Sequence, residues 1–205
     1  MIVVIDYNVG NVRSVCNAFS HIGCEVKLSC KSEDINAADG LVLPGVAAFG
    51  YAISALGPLA EQAKESAFDG KPLLGICVGY QILFETGTEH GEHEGLGLIR
   101  GSIIPIPLGK TVPHIGWNSV KIPEDMELLA NLGKQKNFYF AHSYYADITD
   151  GDTRVAYTDY GFAMPASVQK ANIYGTQFHP EKSGQAGLRI LKNFARICKR
   201  NTGKC

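Results

Sequence analysis

With 205 residues, 45% of them hydrophobic and 19% charged, the chain can bury one substantial core but is short for two full-sized domains, so one domain over 1–205 is expected. Its 19 lysines and arginines nearly cancel 20 aspartates and glutamates, which excludes a global field able to hold a nucleic-acid backbone or an anionic membrane. Partners should be small molecules or other proteins.

The chain opens on a buried-strand run, Ile2 to Ile5, which Asp6 ends too early for a signal peptide. A turn from Asp6 to Gly10 leads to an amphipathic helix over Val12 to Ile22 and a short strand around Val26, a β-α-β unit. The pattern recurs as a strand from Gly40 to Leu43, a glycine-rich loop, a helical stretch from Tyr51 to Phe68 interrupted near Pro58, and a strand from Pro72 to Ile76 entering another helix. Such alternation implies a parallel sheet with helices on both faces. After Gly95 the texture turns β-rich, over Ile99 to Ile106, Trp117 to Ile122, Asn137 to Tyr145, Arg154 to Tyr160 and Ala166 to Phe178, with only a short helix near Leu128. Gly187 to Lys199 carries a helical stripe of Leu188, Leu191, Phe194 and Ile197 that would pack on the sheet and leave Lys192, Arg196 and Lys199 in water. The expected fold class is α/β, a mixed, mostly parallel sheet flanked by helices with an added antiparallel β layer.

No apolar stretch is long enough to span a bilayer. The cysteines at 16, 24, 30, 77, 198 and 205 form no Cys-x-x-Cys pair, so reduced thiols and a cytoplasmic location are expected, without disulfides or a Cys-built zinc site. His90 and His93, three apart among Glu89, Glu92 and Glu94, have metal-ligand chemistry, but the flanking glycines leave the segment reading as a solvated loop.

The strongest chemical signal is Leu73-Leu74-Gly75-Ile76-Cys77-Val78-Gly79-Tyr80-Gln81, an apolar strand running through Gly-x-Cys-x-Gly into a helix. This is a nucleophile elbow with cysteine in place of serine. Glycines two before and two after the nucleophile suit a turn too crowded for a β-carbon. A cysteine at a helix N-terminus is favoured as thiolate, and the Val78 N–H would face a developing oxyanion. On the elbow alone, Cys77 is also compatible with a small buried hydrophobe.

A second signal is Tyr174-Gly175-Thr176-Gln177-Phe178-His179-Pro180-Glu181. Proline biases His179 towards extended backbone, and residues two apart in an extended run point to one side, so His179 and Glu181 can address one pocket. A carboxylate behind an imidazole fixes its tautomer and stabilises the imidazolium. Taken alone, His179 reads better as a histidine satisfied by strand-end hydrogen bonds. A third signal, Leu43-Pro44-Gly45-Val46-Ala47-Ala48-Phe49-Gly50, would lie at the same carboxyl edge of the sheet and supply a second oxyanion donor.

Together, Gly75-Ile76-Cys77-Val78-Gly79-Tyr80-Gln81 and Gln177-Phe178-His179-Pro180-Glu181-Lys182-Ser183 resemble the class I glutamine amidotransferases. Within that class, Asp6-Tyr7-Asn8 with Gly10-Asn11, Pro44-Gly45-Val46 with Ala48-Phe49-Gly50, Pro113-His114-Ile115-Gly116-Trp117-Asn118, and His142-Ser143-Tyr144 are similar to the glutaminase-subunit family of imidazole glycerol phosphate synthase. The resemblance spans the chain. It implies that Cys77 attacks the side-chain amide of L-glutamine, that His179, oriented by Glu181, protonates the departing ammonia, and that water hydrolyses the thioester. By the same resemblance, Val46 and Val78 form the oxyanion hole, Gly45 and Gln81 line the substrate site, and backbone groups of Ser143 and Tyr144 hold the α-amino and carboxylate ends. No cofactor or metal is implied.

The resemblance also implies a heterodimer with a (β/α)8-barrel cyclase, which uses the ammonia to make imidazole glycerol phosphate and an aminoimidazole ribonucleotide in histidine biosynthesis. Asn11, His114, Trp117 and Tyr139 are candidates for the partner-facing rim, with ordinary strand and loop packing the equal alternative. Ala47 stands where the family's oxyanion loop carries glycine. Its β-carbon restricts positive φ, so activation is expected to be retained but slower. Tyr80 replaces a methionine common after the elbow, with no effect that follows from it. The other readings are a glutaminase serving a different ammonia-using synthase, and a catalytically impaired chain that only holds its partner.

Overall fold

The computed structural model describes residues 1–201 and 203. In chain order the first part is β1 (Ile2–Ile5), α1 (Val12–His21), β2 (Val26–Ser29), α2 (Ser32–Ala37), β3 (Gly40–Leu43), α3 (Phe49–Leu56), α4 (Leu59–Phe68), β4 (Leu73–Ile76) and α5 (Val78–Gln81). The rest is β5 (Phe84–Gly87), β6 (His93–Glu94), β7 (Ile99–Pro105), β8 (His114–Lys121), a 3-10 turn Glu127–Leu129, β9 (Gln135–His142), β10 (Tyr144–Ile148), β11 (Arg154–Asp159), β12 (Ala163–Lys170), β13 (Ile173–Thr176), a 3-10 turn Pro180–Lys182 and α6 (Gly184–Asn201).

A nine-stranded sheet runs β2-β1-β3-β4-β13-β12-β11-β8-β9. From β2 to β13 neighbours are parallel, and from β13 to β9 they are antiparallel. The expected parallel half is therefore present, but the β-rich second half mostly continues the same sheet. The separate layer is a smaller sheet, β10-β7-β5-β6.

The unbroken apolar run of β1 follows from burial on both faces. Ile2 and Val4 enter one core cluster with α1 and α6, while Val3 and Ile5 enter the other with α3, α4 and the small sheet. The α6 stripe is buried through Leu191, Phe194 and Ile197, with Lys192, Arg196 and Lys199 outward, and the helix starts at Gly184, three residues before the expected Gly187. No helix among the described residues is long and apolar enough to cross a membrane. Cys16, Cys24, Cys30 and Cys77 are unbridged thiols, and Cys205 lies outside the described residues.

Two β-segments of the sequence reading are each two strands. Asn137 to Tyr145 crosses from β9, paired with β8, to β10, paired with β7, so the chain changes sheets at Ser143. Ala166 to Phe178 folds back between β12 and β13, with Ala171 at φ +49 in the turn. The short α2, β5 and β6 lie below the length at which periodicity is readable.

Phe194 is completely buried, its ring 6.4 Å from Phe19, whereas Phe68 is 74% exposed. Phe194→Ala is expected to destabilise the fold by about 3–5 kcal/mol. Phe68→Ala should change it by no more than about 0.5 kcal/mol. Denaturant unfolding of the two variants checks both.

Candidate active site

Cys77 follows the last residue of β4 and precedes α5, with φ +56 and ψ −112. A side chain in this region carries strain of about 1–3 kcal/mol, which the surroundings must offset. They do so by pinning the backbone on both sides. The Cys77 N–H donates to the Thr176 carbonyl at 2.8 Å, and the Cys77 carbonyl accepts from Tyr80 and Gln81 N–H, both at 3.1 Å. The two elbow glycines have a direct steric cause: a β-carbon on Gly79 would lie 1.8 Å from the Leu43 carbonyl oxygen, and one on Gly75 2.4 Å from the Gly79 oxygen. Because α5 is a single turn, the dipole it offers the sulfur is smaller than the sequence suggests.

The imidazole opposite comes from just beyond β13. His179 has extended backbone before Pro180 (φ −98, ψ 99), and its N–H donates to the Tyr139 carbonyl at 2.9 Å. Ser183 braces the turn, its hydroxyl donating to the His179 carbonyl at 2.6 Å and accepting from Tyr139 N–H at 3.0 Å. Glu181 reaches the ring by a route other than the extended one expected. It sits in the 3-10 turn, which folds its carboxylate back until Oε1 is 2.8 Å from His179 Nδ1. A carboxylate only accepts, so Nδ1 carries a proton.

Both side chains are nearly inaccessible, at 1% and 2% exposure. Burial works against a charge on His179, but neighbouring Cys77 and Glu181 overcome it and raise the imidazole to about 9. Among the described residues, the second ring nitrogen, Nε2, has no hydrogen-bonded partner. Cys77 and His179 line one cavity of about 520 Å³ with Val46, Gln81, Ser143 and Tyr144.

Residues 3–198 match the family described as Glutamine amidotransferase class-I. The chain belongs to the class I glutamine amidotransferases. It is 49% identical to the imidazole glycerol phosphate synthase subunit HisH of Methanothermobacter thermautotrophicus, over 96% of this chain and 98% of that one. It is 44% identical to the protein of that name from Streptococcus sanguinis, over 100% of both. Solved structures similar in fold include a putative GMP synthase subunit from Thermoplasma acidophilum (TM-score 0.76, 23% identity, 98% of this chain and 95% of that one). PurLQS from Thermotoga maritima has the same TM-score at 21% identity, over 96% and 97%.

The remaining candidates distribute unevenly around this amidotransferase site. Gly45 packs so closely that an added β-carbon would lie 2.1 Å from Val78 Cγ1, which sets the Val46 loop against the Val78 side chain. Ala47 does not have positive φ and packs against the cluster containing Phe49, so its β-carbon causes no backbone strain here. Gln81 lines the cavity, but its Nε2 donates to the Tyr144 carbonyl at 3.2 Å and to Gln177 Oε1 at 3.1 Å. Only its oxygen remains for a ligand. The Ser143 carbonyl accepts from Ile106 N–H at 3.0 Å, so the expected backbone cradle already serves the protein in part.

Of the rim candidates, Asn11 is exposed, Trp117 is 58% exposed, and Tyr139 is half-buried with its ring 6.2 Å from that of Trp117. His114 does not join them. It is 4% exposed, because alternation along β8 turns Ile115 and Trp117 outward and His114 inward, where it stacks on Phe140. Sequence reasoning missed Glu89, which lines the cavity and accepts the Phe49 N–H at 2.8 Å. It was hidden in a segment read as a solvated loop, of which His93 in fact packs its ring on the backbone of Gly50.

A raised His179 value means that the native state holds the proton more tightly than the unfolded chain. The Glu181 contribution to stability is then full below about 6.5, the unfolded value, and is lost as pH rises through the native value. NMR titration should find His179 changing charge near 9 and Glu181→Gln moving it down. The melting-temperature deficit of Glu181→Gln should be larger at pH 6 than at pH 10. A His179 that titrates normally in both proteins would contradict this account.

Proposed function

We propose that Cys77, His179 and Glu181 form the triad by which this amidotransferase hydrolyses glutamine, and that the ammonia passes to a cyclase barrel seated on the rim around the cavity. The observation that carries the reading is the His179 imidazole, with a buried carboxylate at Nδ1 and its free Nε2 in the same cavity as the Cys77 thiol. A charged imidazole can give a proton to a leaving amine, and a thiolate is the form of cysteine that attacks.

The Cys77 sulfur adds to the glutamine side-chain carbonyl carbon, and the oxygen takes the charge towards the Val46 and Val78 amides. Collapse breaks the C–N bond as His179 delivers its proton to the nitrogen, releasing ammonia and leaving a γ-glutamyl thioester. Neutral His179 then takes a proton from water, whose oxygen attacks the thioester carbon, and glutamate departs as the sulfur is regenerated. Water and glutamine become glutamate and ammonia, with Glu181 holding the ring through both halves.

Among the described residues, Glu89 is the one carboxylate lining the cavity, and it suits the α-ammonium of glutamine. The Tyr144 carbonyl does not, since its two lone pairs accept from His142 and Gln81. Ammonia released to water becomes mostly ammonium, which has no lone pair to react, so the product is useful only if delivered directly. Val46, Ile115 and Trp117 are exposed apolar side chains, and Val46 and Ile115 line the cavity. Such residues suit a docked protein surface. The high similarity to imidazole glycerol phosphate synthase subunits supports histidine biosynthesis as the pathway and the cyclase of that synthase as the partner.

Glutamate release is the test, with and without the cyclase and its phosphoribosyl ligand. The cyclase should stimulate release, and Cys77→Ala should lower it by roughly 10⁴-fold or more. Stimulation by another synthase instead would reassign the acceptor, and no release under any condition would leave only a binding role. In the stimulated complex, Glu89→Gln should raise KM for glutamine roughly tenfold or more, as loss of a charge-assisted bond predicts. An unchanged KM would remove Glu89 from substrate recognition.

A further inference from the structure

Behind the glutamine pocket two buried histidines touch. His114 Nδ1 lies 3.0 Å from His142 Nε2, with His114 4% and His142 6% exposed. We propose that His142, keyed by His114, is a positioning residue for substrate: the pair forms a directed hydrogen-bonded chain ending on the Tyr144 carbonyl, and so holds the Ser143–Tyr144 edge of the glutamine pocket.

The direction of the chain can be worked out from either end. At one end the Tyr144 carbonyl, 2.7 Å from His142 Nδ1, can only accept, so Nδ1 bears the proton and Nε2 is the acceptor. His114 must then donate from Nδ1, leaving its own Nε2 to accept. At the other end, Asn118 Oδ1 accepts from Ser119 N–H at 2.7 Å and its Nδ2 donates to the Asp159 carbonyl at 3.0 Å, which fixes the amide orientation. The second Nδ2 hydrogen points to His114 Nε2 at 3.4 Å. Both ends demand the same pair of tautomers. An extra proton on either ring would set N–H against N–H, and burial pushes both imidazoles down, His114 to about 4 and His142 to about 3.

The Tyr144 carbonyl needs these side-chain donors for a reason written in the sheet. β10 is an edge strand, and because the Ser143 carbonyl accepts from Ile106 N–H, the alternation of the antiparallel ladder turns the Tyr144 carbonyl away from β7. His142 Nδ1 fills one lone pair and Gln81 Nε2 the other, and Gln81 is itself tied to Gln177. Ser143 and Tyr144 thus lie where the chain passes between sheets, without the full ladder that stiffens other strand residues. A neutral His142 also avoids adding a second positive charge beside His179.

The inference rests on the glutamine-hydrolysis reading, and its test uses the complex with the cyclase. His142→Ala should raise KM for glutamine roughly tenfold while kcat falls less, and His142→Asn, which can place an amide N–H near the Nδ1 position, should recover most of the loss. ¹⁵N NMR of the wild type should find His142 as the Nδ1–H tautomer, the less common form of a free imidazole. A His142 protonated at Nε2 would overturn the proposal, as would an Ala variant with unchanged KM or an Asn variant no better than Ala. A wild-type complex that releases no glutamate would be the failure of the proposed function. An active wild type with a KM indifferent to His142 would be the failure of this inference alone.

Discussion

The site depends on the close approach of α5 to the end of β3. Gly79 lies so near the Leu43 carbonyl that no side chain can stand between them, and Cys77 just before it has positive φ. Pairing of β4 with β3 on one side and β13 on the other supplies the rigidity that sustains the strain. The same packing fixes three further positions. The Val46 loop leaves β3 beside Val78, the thiol stands at the carboxyl edge of the sheet, and β13 delivers His179 to that edge from the neighbouring register. Ligand sites in open α/β sheets form at this edge because the loops there are free to vary while the strands stay fixed.

Charge is then distributed by hydrogen-bond partners. His179 and His142 line the same cavity and are both buried, yet one is driven towards the charged form and the other away from it. The difference lies in their partners. Cys77 on one side and the Glu181 carboxylate on the other compensate a positive His179 ring, whereas the neutral Tyr144 carbonyl behind His142 cannot offset the loss of water. In the proposed chemistry, the first histidine moves protons and the second keeps a fixed one.

The change of sheets at Ser143 gives the pocket its second wall. β9 belongs to the nine-stranded sheet and β10 to the small one, so the intervening residues face the thiol from across the cavity. Irregular backbone at such a crossing leaves polar groups without ladder partners. Side chains that compensate them, His142 and Gln81 here, become part of how the pocket is shaped.

Much of this was legible in the residues themselves. Local patterns suffice for β1, β3, β4 and α6, whose apolar spacing reflects which faces are buried, and for the elbow, whose glycine spacing is readable even though only Gly75 is crowded by its own segment and Gly79 is crowded by Leu43. Cys77, His179 and Glu181 were readable because their chemistry is written in residue types over short stretches. What sequence could not supply was long-range. The single turn of α5, the return of Glu181 through a 3-10 turn, the division of 137–145 between two sheets and the inward turn of His114 are all decided by neighbours distant in the chain. So are Glu89 as a pocket carboxylate and the protonation of the paired histidines. A side chain's type is local, but its direction, its partner and its charge are set by whatever the fold brings within hydrogen-bonding distance, and only the tertiary structure decides that.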